Sequence, residues 1–384
     1  MNYIYLDNAA TTKADPKVIK AMERCLKYDF GNPSSIHSMG QRGKKILAEA
    51  RKEVALLLGA DPDEIIFTSG GTESDNLAIQ GAFRANKGNH LITTKIEHPA
   101  VLNTCKYLEE KGADVTYLDV DEDGLVYPDD FESAIREDTV LATVMYANNV
   151  MGTVEEIYDL ADIAHDNGVL FHTDAVQAAG MIPIDLKNTN IDLLSISGHK
   201  LHASKGIGAL YKSKSVDIEP LMYGGAHEDG LRPGTENVPG IAGFGVACRI
   251  VKEEMDDYVP EMKELRDRLI EGIEENIPQV HLNGHRTKRL PNNVNFSFKG
   301  VEGESILLKL DSLGYEVSTG SACSSKELKP SEAILATGVD TEMAHCSLRI
   351  TLGRETERKY IEKFLEDLTS VISELREMSP LWQE

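Results

Sequence analysis

Paired cysteines, long apolar runs and clustered basic residues are all scarce in this chain. Its five cysteines, Cys25, Cys105, Cys248, Cys323 and Cys346, are scattered, odd in number and form no CxxC pair. That spacing excludes a disulfide framework and a cysteine zinc site, and it fits mostly buried thiols in a reducing, cytoplasmic setting. No stretch approaches the roughly 20 apolar residues of a membrane-spanning helix. The opening MNYIYLDNAATT lacks the basic start of a secretory signal, and Asp7 interrupts its only apolar stretch. Lys and Arg total 40 against 63 Asp and Glu, a formal net charge of −23. Such a balance argues against a nucleic-acid partner, because phosphate backbones need clustered cations. Repeats, low-complexity tracts and flexible linkers are missing too.

What remains is a chain of 384 residues, 41% of them hydrophobic. That is enough for a sizeable interior and long enough for two packed domains. Apolar runs predict strands at 64–69, 91–94, 115–120, 140–146, 169–173 and 193–197. Helices are expected from Thr72, from Pro99 to about Gly112, and over 153–168, where Leu160, Ile163 and Ala164 share a face. Strands alternating with helices indicate α/β architecture with a mostly parallel sheet. Near residue 250 the pattern changes. Two charged helical stretches over about 250–277 precede strands at 294–298, near Val317 and at 348–352, and a helix at 305–313. A last amphipathic helix carries Ile361, Phe364, Leu365, Leu368, Val371, Ile372 and Leu375 and stops at Pro380. The expected division is a large α/β domain over 16–252 and a smaller α+β domain from 1–15 and 253–384.

Several residues carry chemistry. Asp174 ends the apolar run VLFHTD, and Lys200 follows LLSIS in Ser197-Gly198-His199-Lys200. Ligands of open α/β sheets bind outside the carboxyl ends of strands. Alone, Asp174 reads as a helix cap and Lys200 as a solvated cation. Together they suit pyridoxal phosphate, which needs a lysine for its aldehyde and an acid for its ring nitrogen. Ser69-Gly70-Gly71-Thr72 joins a strand to a helix and offers backbone N–H groups to a phosphate, with Thr72 and Asp75 spaced as a capping box. His98-Pro99 places an imidazole at a strand end, as an ordinary cap or as a ring-stacking proton carrier. Cys25 reads as a core thiol on a helical face with Val18, Met22 and Leu26. Cys323, among small polar neighbours in Ser318 to Ser325, suits an exposed nucleophile.

These residues, with Asp7-Asn8-Ala9-Ala10-Thr11-Thr12, Gly31 to Ser35, Thr72-Glu73-Ser74, Glu97-His98, Asn148-Asn149, Asp174 to Gln177, Arg232 to Thr235 and Gly320 to Ser324, resemble the NifS/IscS-type cysteine desulfurases in order over essentially the whole chain. That family belongs to the class-V aminotransferases and has the fold-type-I pyridoxal-phosphate architecture, with a seven-stranded sheet and a homodimer. By resemblance, Lys200 binds the cofactor and removes the substrate Cα proton. Asp174 pairs with the ring nitrogen, and His98 stacks on the ring. Gln177 and Asn149 lie at the phenolic oxygen. Gly71, Thr72, Ser197 and His199 hold the phosphate, with Thr235 from the partner subunit. Arg349, with Asn32, clamps the carboxylate of L-cysteine. Cys323 takes the sulfur as a persulfide and passes it to an iron–sulfur scaffold protein of the IscU type or another acceptor.

The sequence departs from the family pattern at Val150-Met151, at His202 to Lys205 and at Asp229. No resident metal is expected, with Cys323 a transient cluster ligand at most and Cys346 a core thiol. The rival readings are a selenocysteine lyase or other lyase of this fold, a cluster-assembly platform with secondary activity, and a thiol hydrolase using Cys323 with His345 or His98.

Overall fold

A computed structural model describes residues 3–319, 330–380 and 382. Cys323 therefore lies outside the described residues. After a two-residue strand β1 (Ile4–Tyr5) come β2 (Ile65–Thr68), β3 (His90–Thr94), β4 (Asp114–Leu118), β5 (Thr139–Thr143), β6 (Leu170–Asp174), β7 (Leu193–Ser197) and β8 (Gly208–Lys212). β2 to β8 form a seven-stranded sheet in the order β2-β8-β7-β6-β5-β3-β4. β8 pairs antiparallel with both β2 and β7, and the other pairings are parallel. β8 carries little strand signal of its own, because it opens on Gly208 and ends on Lys212 with only Ala209, Leu210 and Tyr211 between them.

Alternate residues of these strands feed two separate cores. Ala142, Phe171, Leu194 and Ala209 face one, with α1 (Pro16–Lys27), α2 (Ser38–Leu58) and the helix at Ile157–Asp166 packed over them. Leu141, Leu193 and Leu210 face the other, under α3 (Gly71–Ala85) and α4 (Pro99–Glu110). Both faces are covered, as parallel sheets require. A third core gathers β9 (Val280–Leu282), β10 (Asn293–Phe298) and β12 (Ser347–Thr351) with the helices at Gly303–Ser312 and Arg358–Met378. The strand expected near Val317 is β11 (Tyr315–Glu316), which pairs with β1.

Two expected helical stretches prove to be one. A single helix runs from Val238 to Asn276, with Asn237 Oδ1 accepting from Gly240 N at 3.1 Å as its cap and Pro260 inside it. Its first half supplies Phe244 and Val251 to the large-sheet core, and its second half Leu269 and Ile273 to the third. The early start escaped notice because Gly240, Gly243 and Gly245 look like breakers. They are contact points: a Cβ on Gly245 would come within 2.6 Å of the Ala50 backbone in α2. The helical face assigned to Cys25 also needs correction. Val18 and Cys25 are buried, but Leu26 is 65% exposed.

Gly245→Val is expected to destabilise the fold by about 1–3 kcal/mol by forcing the two helices apart. A lower denaturation midpoint at unchanged slope would record it.

Candidate functional site

Five strand ends converge on one cavity of about 320 Å³. Its walls include Gly71 and Thr72 after β2, His98 after β3, Asn149 after β5, Asp174 and Gln177 at the end of β6, and Ser197, His199 and Lys200 after β7, with Arg349 from β12 closing the far side. Ten of the residues singled out in the sequence therefore meet in one place. Thr235 and Asn32 do not line it; both are exposed. The Asn32 side chain instead accepts from Ser34 N at 2.9 Å.

The floor is a turn only glycine can make. Gly70 has φ 151°, and a Cβ on Gly71 would meet Val176 at 2.8 Å. Gly70 caps α3 with no side chain of its own. The expected Thr72–Asp75 capping box is thus absent: Thr72 lines the cavity, and Asp75 turns inward to 1% exposure. Uncapped N–H groups at the start of a 15-residue helix, beside Thr72, Ser197 and His199, make a cradle for an anion.

The electrostatics around Asp174 are dominated by burial. Asp174 Oδ1 accepts from Val176 N at 2.9 Å. Burial raises its pKa, opposed by His98, by the Val176 hydrogen bond and by Lys200. Asp75 lies close by; one carboxylate oxygen of each aspartate and one His98 ring nitrogen fall within 4.8 Å of one another. Asp75 is pushed well above its ordinary value by burial and by the Asp174 charge. Each charge disfavours the other, and Asp75, raised further than Asp174, is the one held toward its neutral form. His98 Nδ1 accepts from Ala100 N at 3.1 Å, capping α4 as expected and leaving Nε2 for other partners. Its pKa is lowered by burial, opposed by Asp174 and aided by Lys200. His199 is lowered to about 4, first by burial and then by Lys200, so it is neutral at physiological pH.

The N-terminal segment forms the lid of this cavity, which the sequence did not announce. Lys200 Nζ donates to the Ala9 carbonyl and, at 3.0 Å, to the Ala10 carbonyl. Gln177 Nε2 donates to Ala9 O at 3.0 Å. Arg349, 3% exposed, donates from Nη1 to the Asn149 carbonyl and from Nη2 to Asp7 Oδ1, both at 2.8 Å. Asp7, Asp75 and Val176 were the omissions of the sequence reading. Asp75 mimics a cap, and the other two stood in quoted motifs without a role.

None of the residues that depart from the family pattern lines the cavity. Val150 and Met151 are buried in an apolar cluster with Ile96, Met145 and Ile334. Asn148 Oδ1 accepts from the N–H groups of both. His202 adopts φ 61° and its Nδ1 lies 2.9 Å from Lys13 O. Asp229 is exposed, at φ 54°. Cys346 is buried, and burial pushes its thiol up.

The chemistry of this donor set fits pyridoxal phosphate: an amine and a buried acid line one cavity, with an anion cradle at a helix start and an imidazole between. Glu97, directly before His98, is buried and accepts from Thr94 Oγ1 at 2.9 Å and Met145 N at 2.8 Å. Burial raises it from 4.5 to about 8. In that window the folded chain keeps a proton that the unfolded chain has released, so stability falls as pH rises. Glu97→Gln is permanently neutral. It is expected to reduce the fall in melting temperature between about pH 5 and about pH 8, whereas a variant curve parallel to that of the wild type would contradict this.

The sequence matches the class-V aminotransferase family over residues 4–364. It is 51% identical over 380 residues to the cysteine desulfurase IscS of Methanosarcina thermophila, covering 98% of this chain and 94% of that protein. With the cysteine desulfurase IscS of Dictyoglomus turgidum it shares 51% over 383 residues, 99% of this chain and 97% of that one. Among solved structures, a NifS-like protein superposes with a TM-score of 0.91 at 36% identity, covering 97% of this chain and all (100%) of the other. SspA in complex with cysteine does so with a TM-score of 0.81 at 37% identity, over 91% and 98%. With this fold, this site and these relatives, the chain belongs to the class-V aminotransferase family, among its cysteine desulfurases.

Proposed function

We propose that this enzyme converts L-cysteine to L-alanine with pyridoxal phosphate held between Lys200 and Asp174, and that Cys323 accepts the sulfur. One observation carries the reading: Lys200 and Asp174 line the same cavity at the carboxyl ends of neighbouring strands. When bound, the cofactor supplies an aldehyde for the substrate amine and a ring that withdraws electrons from Cα.

The chain's own residues do the rest. Asp174, as the anion of its pair with Asp75, holds the ring nitrogen protonated. His98 lies against the ring and carries protons through Nε2. Gly71, Thr72, Ser197 and His199 bind the phosphate, and Gln177 and Asn149 the phenolic oxygen. Arg349 takes the α-carboxylate, for which a planar fork is the natural partner. Lys200 Nζ removes the proton at Cα and returns one to the product. The Cys323 thiolate attacks the substrate sulfur. An S–S bond forms as the Cβ–S bond breaks, with that electron pair staying on the carbon skeleton that leaves as alanine. Support for Cys323 comes from chain connectivity. Ser318 pairs with the Arg349 backbone at 2.6 and 3.1 Å, and the five residues from Thr319 to Cys323 span at most about 18 Å.

The persulfide then serves an acceptor, an iron–sulfur scaffold protein of the IscU type in our reading, in the cytoplasm. The described helices include none long and apolar enough to cross a membrane. A homodimer supplies Thr235, and Asn32 with it, to the neighbouring cavity. Exposed Phe30 (71%), Ile36 (95%) and Tyr223 (86%) flank those two segments and offer apolar surface for a second copy. The division of the chain into 16–252 and 1–15 plus 253–384 belongs to the same reading.

The purified protein is expected to be yellow, and Lys200→Ala to lose that colour. Cys323→Ala is expected to keep the colour while alanine formation from cysteine falls by roughly two orders of magnitude or more. Full-rate desulfuration by Cys323→Ala would contradict the proposed sulfur transfer.

A further inference from the structure

Arg349 is held at two of its three nitrogens. Nη1 donates to the Asn149 carbonyl and Nη2 to Asp7 Oδ1, while Nε is shut off from solvent and has no partner among the described residues. An orphan donor on a nearly buried cation is a group awaiting an acceptor. Asp7 already supplies one carboxylate to that cation, in an ion pair whose side chains are 4% and 20% exposed. So well covered a pair is little screened by salt or water.

The position of Asp7 is fixed by backbone. Asp7 bridges Thr351 on β12, two residues from Arg349. Thr351 N donates to Leu6 O at 2.7 Å and Asn8 N to Thr351 O at 3.3 Å. The same segment then runs on to place Ala9 and Ala10 against Lys200. Asp7 is therefore anchored beside Arg349 by main-chain contacts, whatever its side chain does.

We propose that Asp7 is a built-in competitor for the substrate carboxylate: it neutralises Arg349 in the empty site, weakening the capture of cysteine and easing the release of alanine. This rests on the reading that Arg349 receives the α-carboxylate. Two carboxylates sharing one guanidinium repel each other, and in a poorly screened site that repulsion exceeds the penalty a surface pair would show. The alternative role, orienting the guanidinium, needs only an oxygen acceptor, which asparagine also provides. Asp7→Asn thus removes the charge and keeps the geometry, whereas Asp7→Glu keeps the charge.

The test is calorimetric titration of the holoenzyme with 3-mercaptopropionate, which has the thiol and the carboxylate of cysteine but no amine to react with the cofactor. Asp7→Asn is expected to tighten binding about tenfold, equivalent to ~1.4 kcal/mol, and to lower KM for cysteine without raising kcat. Asp7→Glu is expected to bind no tighter than wild type. Should asparagine not be tolerated, Asp7→Ser removes the charge instead. Unchanged or weaker binding by the uncharged variants would overturn the proposal, as would equal tightening by Asp7→Glu. Arg349→Ala separates the two layers. If it binds the probe as wild type does, the Arg349 reading itself fails. If it loses binding while Asp7→Asn shows no gain, the Arg349 reading stands and the role given to Asp7 fails.

Discussion

A buried carboxylate and a half-buried ammonium share one cavity here, each tied to partners of its own. Neighbouring parallel strands bring them there. β6 ends in Asp174 and β7 leads into Lys200, and both strands are buried. Each charge has other partners. Asp174 accepts from the Val176 backbone, and Lys200 donates to the Ala9 and Ala10 carbonyls. These separate partners hold the two groups apart on the walls of one cavity. Buried charges are tolerable only when so compensated.

Burial then sorts the remaining ionisable groups by role. Asp75 and Glu97 are both driven toward their neutral forms, and His172, wholly buried beneath the sheet end, is lowered to about 3. Burial thus favours the neutral forms of the groups packed under Asp174. In the proposed reaction this leaves Asp174 as the charged partner that keeps the ring nitrogen protonated. A neutral His199 is likewise a hydrogen-bond partner for a phosphate and leaves the cationic contribution to Lys200.

The lid links the two halves of the molecule. Residues 7 to 12 touch Arg349, Lys200, Gln177 and His199 in turn. They reach these groups because β1 is paired with β11 and Asp7 bridges β12, both in the part of the chain beyond residue 310. A segment from the extreme start of the sequence thus fits between sheet and small core. This is why Arg349, far along the chain, shares a cavity with residues after β2.

Local pattern was enough to read the alternation of strands and helices, the strand-end positions of Asp174 and Lys200, and the His98 cap. All three depend on spacing along a few residues. Asp75 and β8 were not legible, for the same reason in opposite guises. Asp75 has the spacing of a cap, yet the glycine turn before it hands capping to Gly70 and sends the carboxylate inward. β8 lacks a strand's usual pattern, yet β2 and β7 leave a gap that only an antiparallel strand fills. The long helix was cut short by glycines whose purpose, close contact with Ala50, exists only once α2 is in place. Local spacing sets the chemical groups and the strand ends that carry them. Which of them burial pushes toward neutrality, and that Asp7 meets Arg349, depend on burial and on distances between remote segments, and neither is encoded in local spacing.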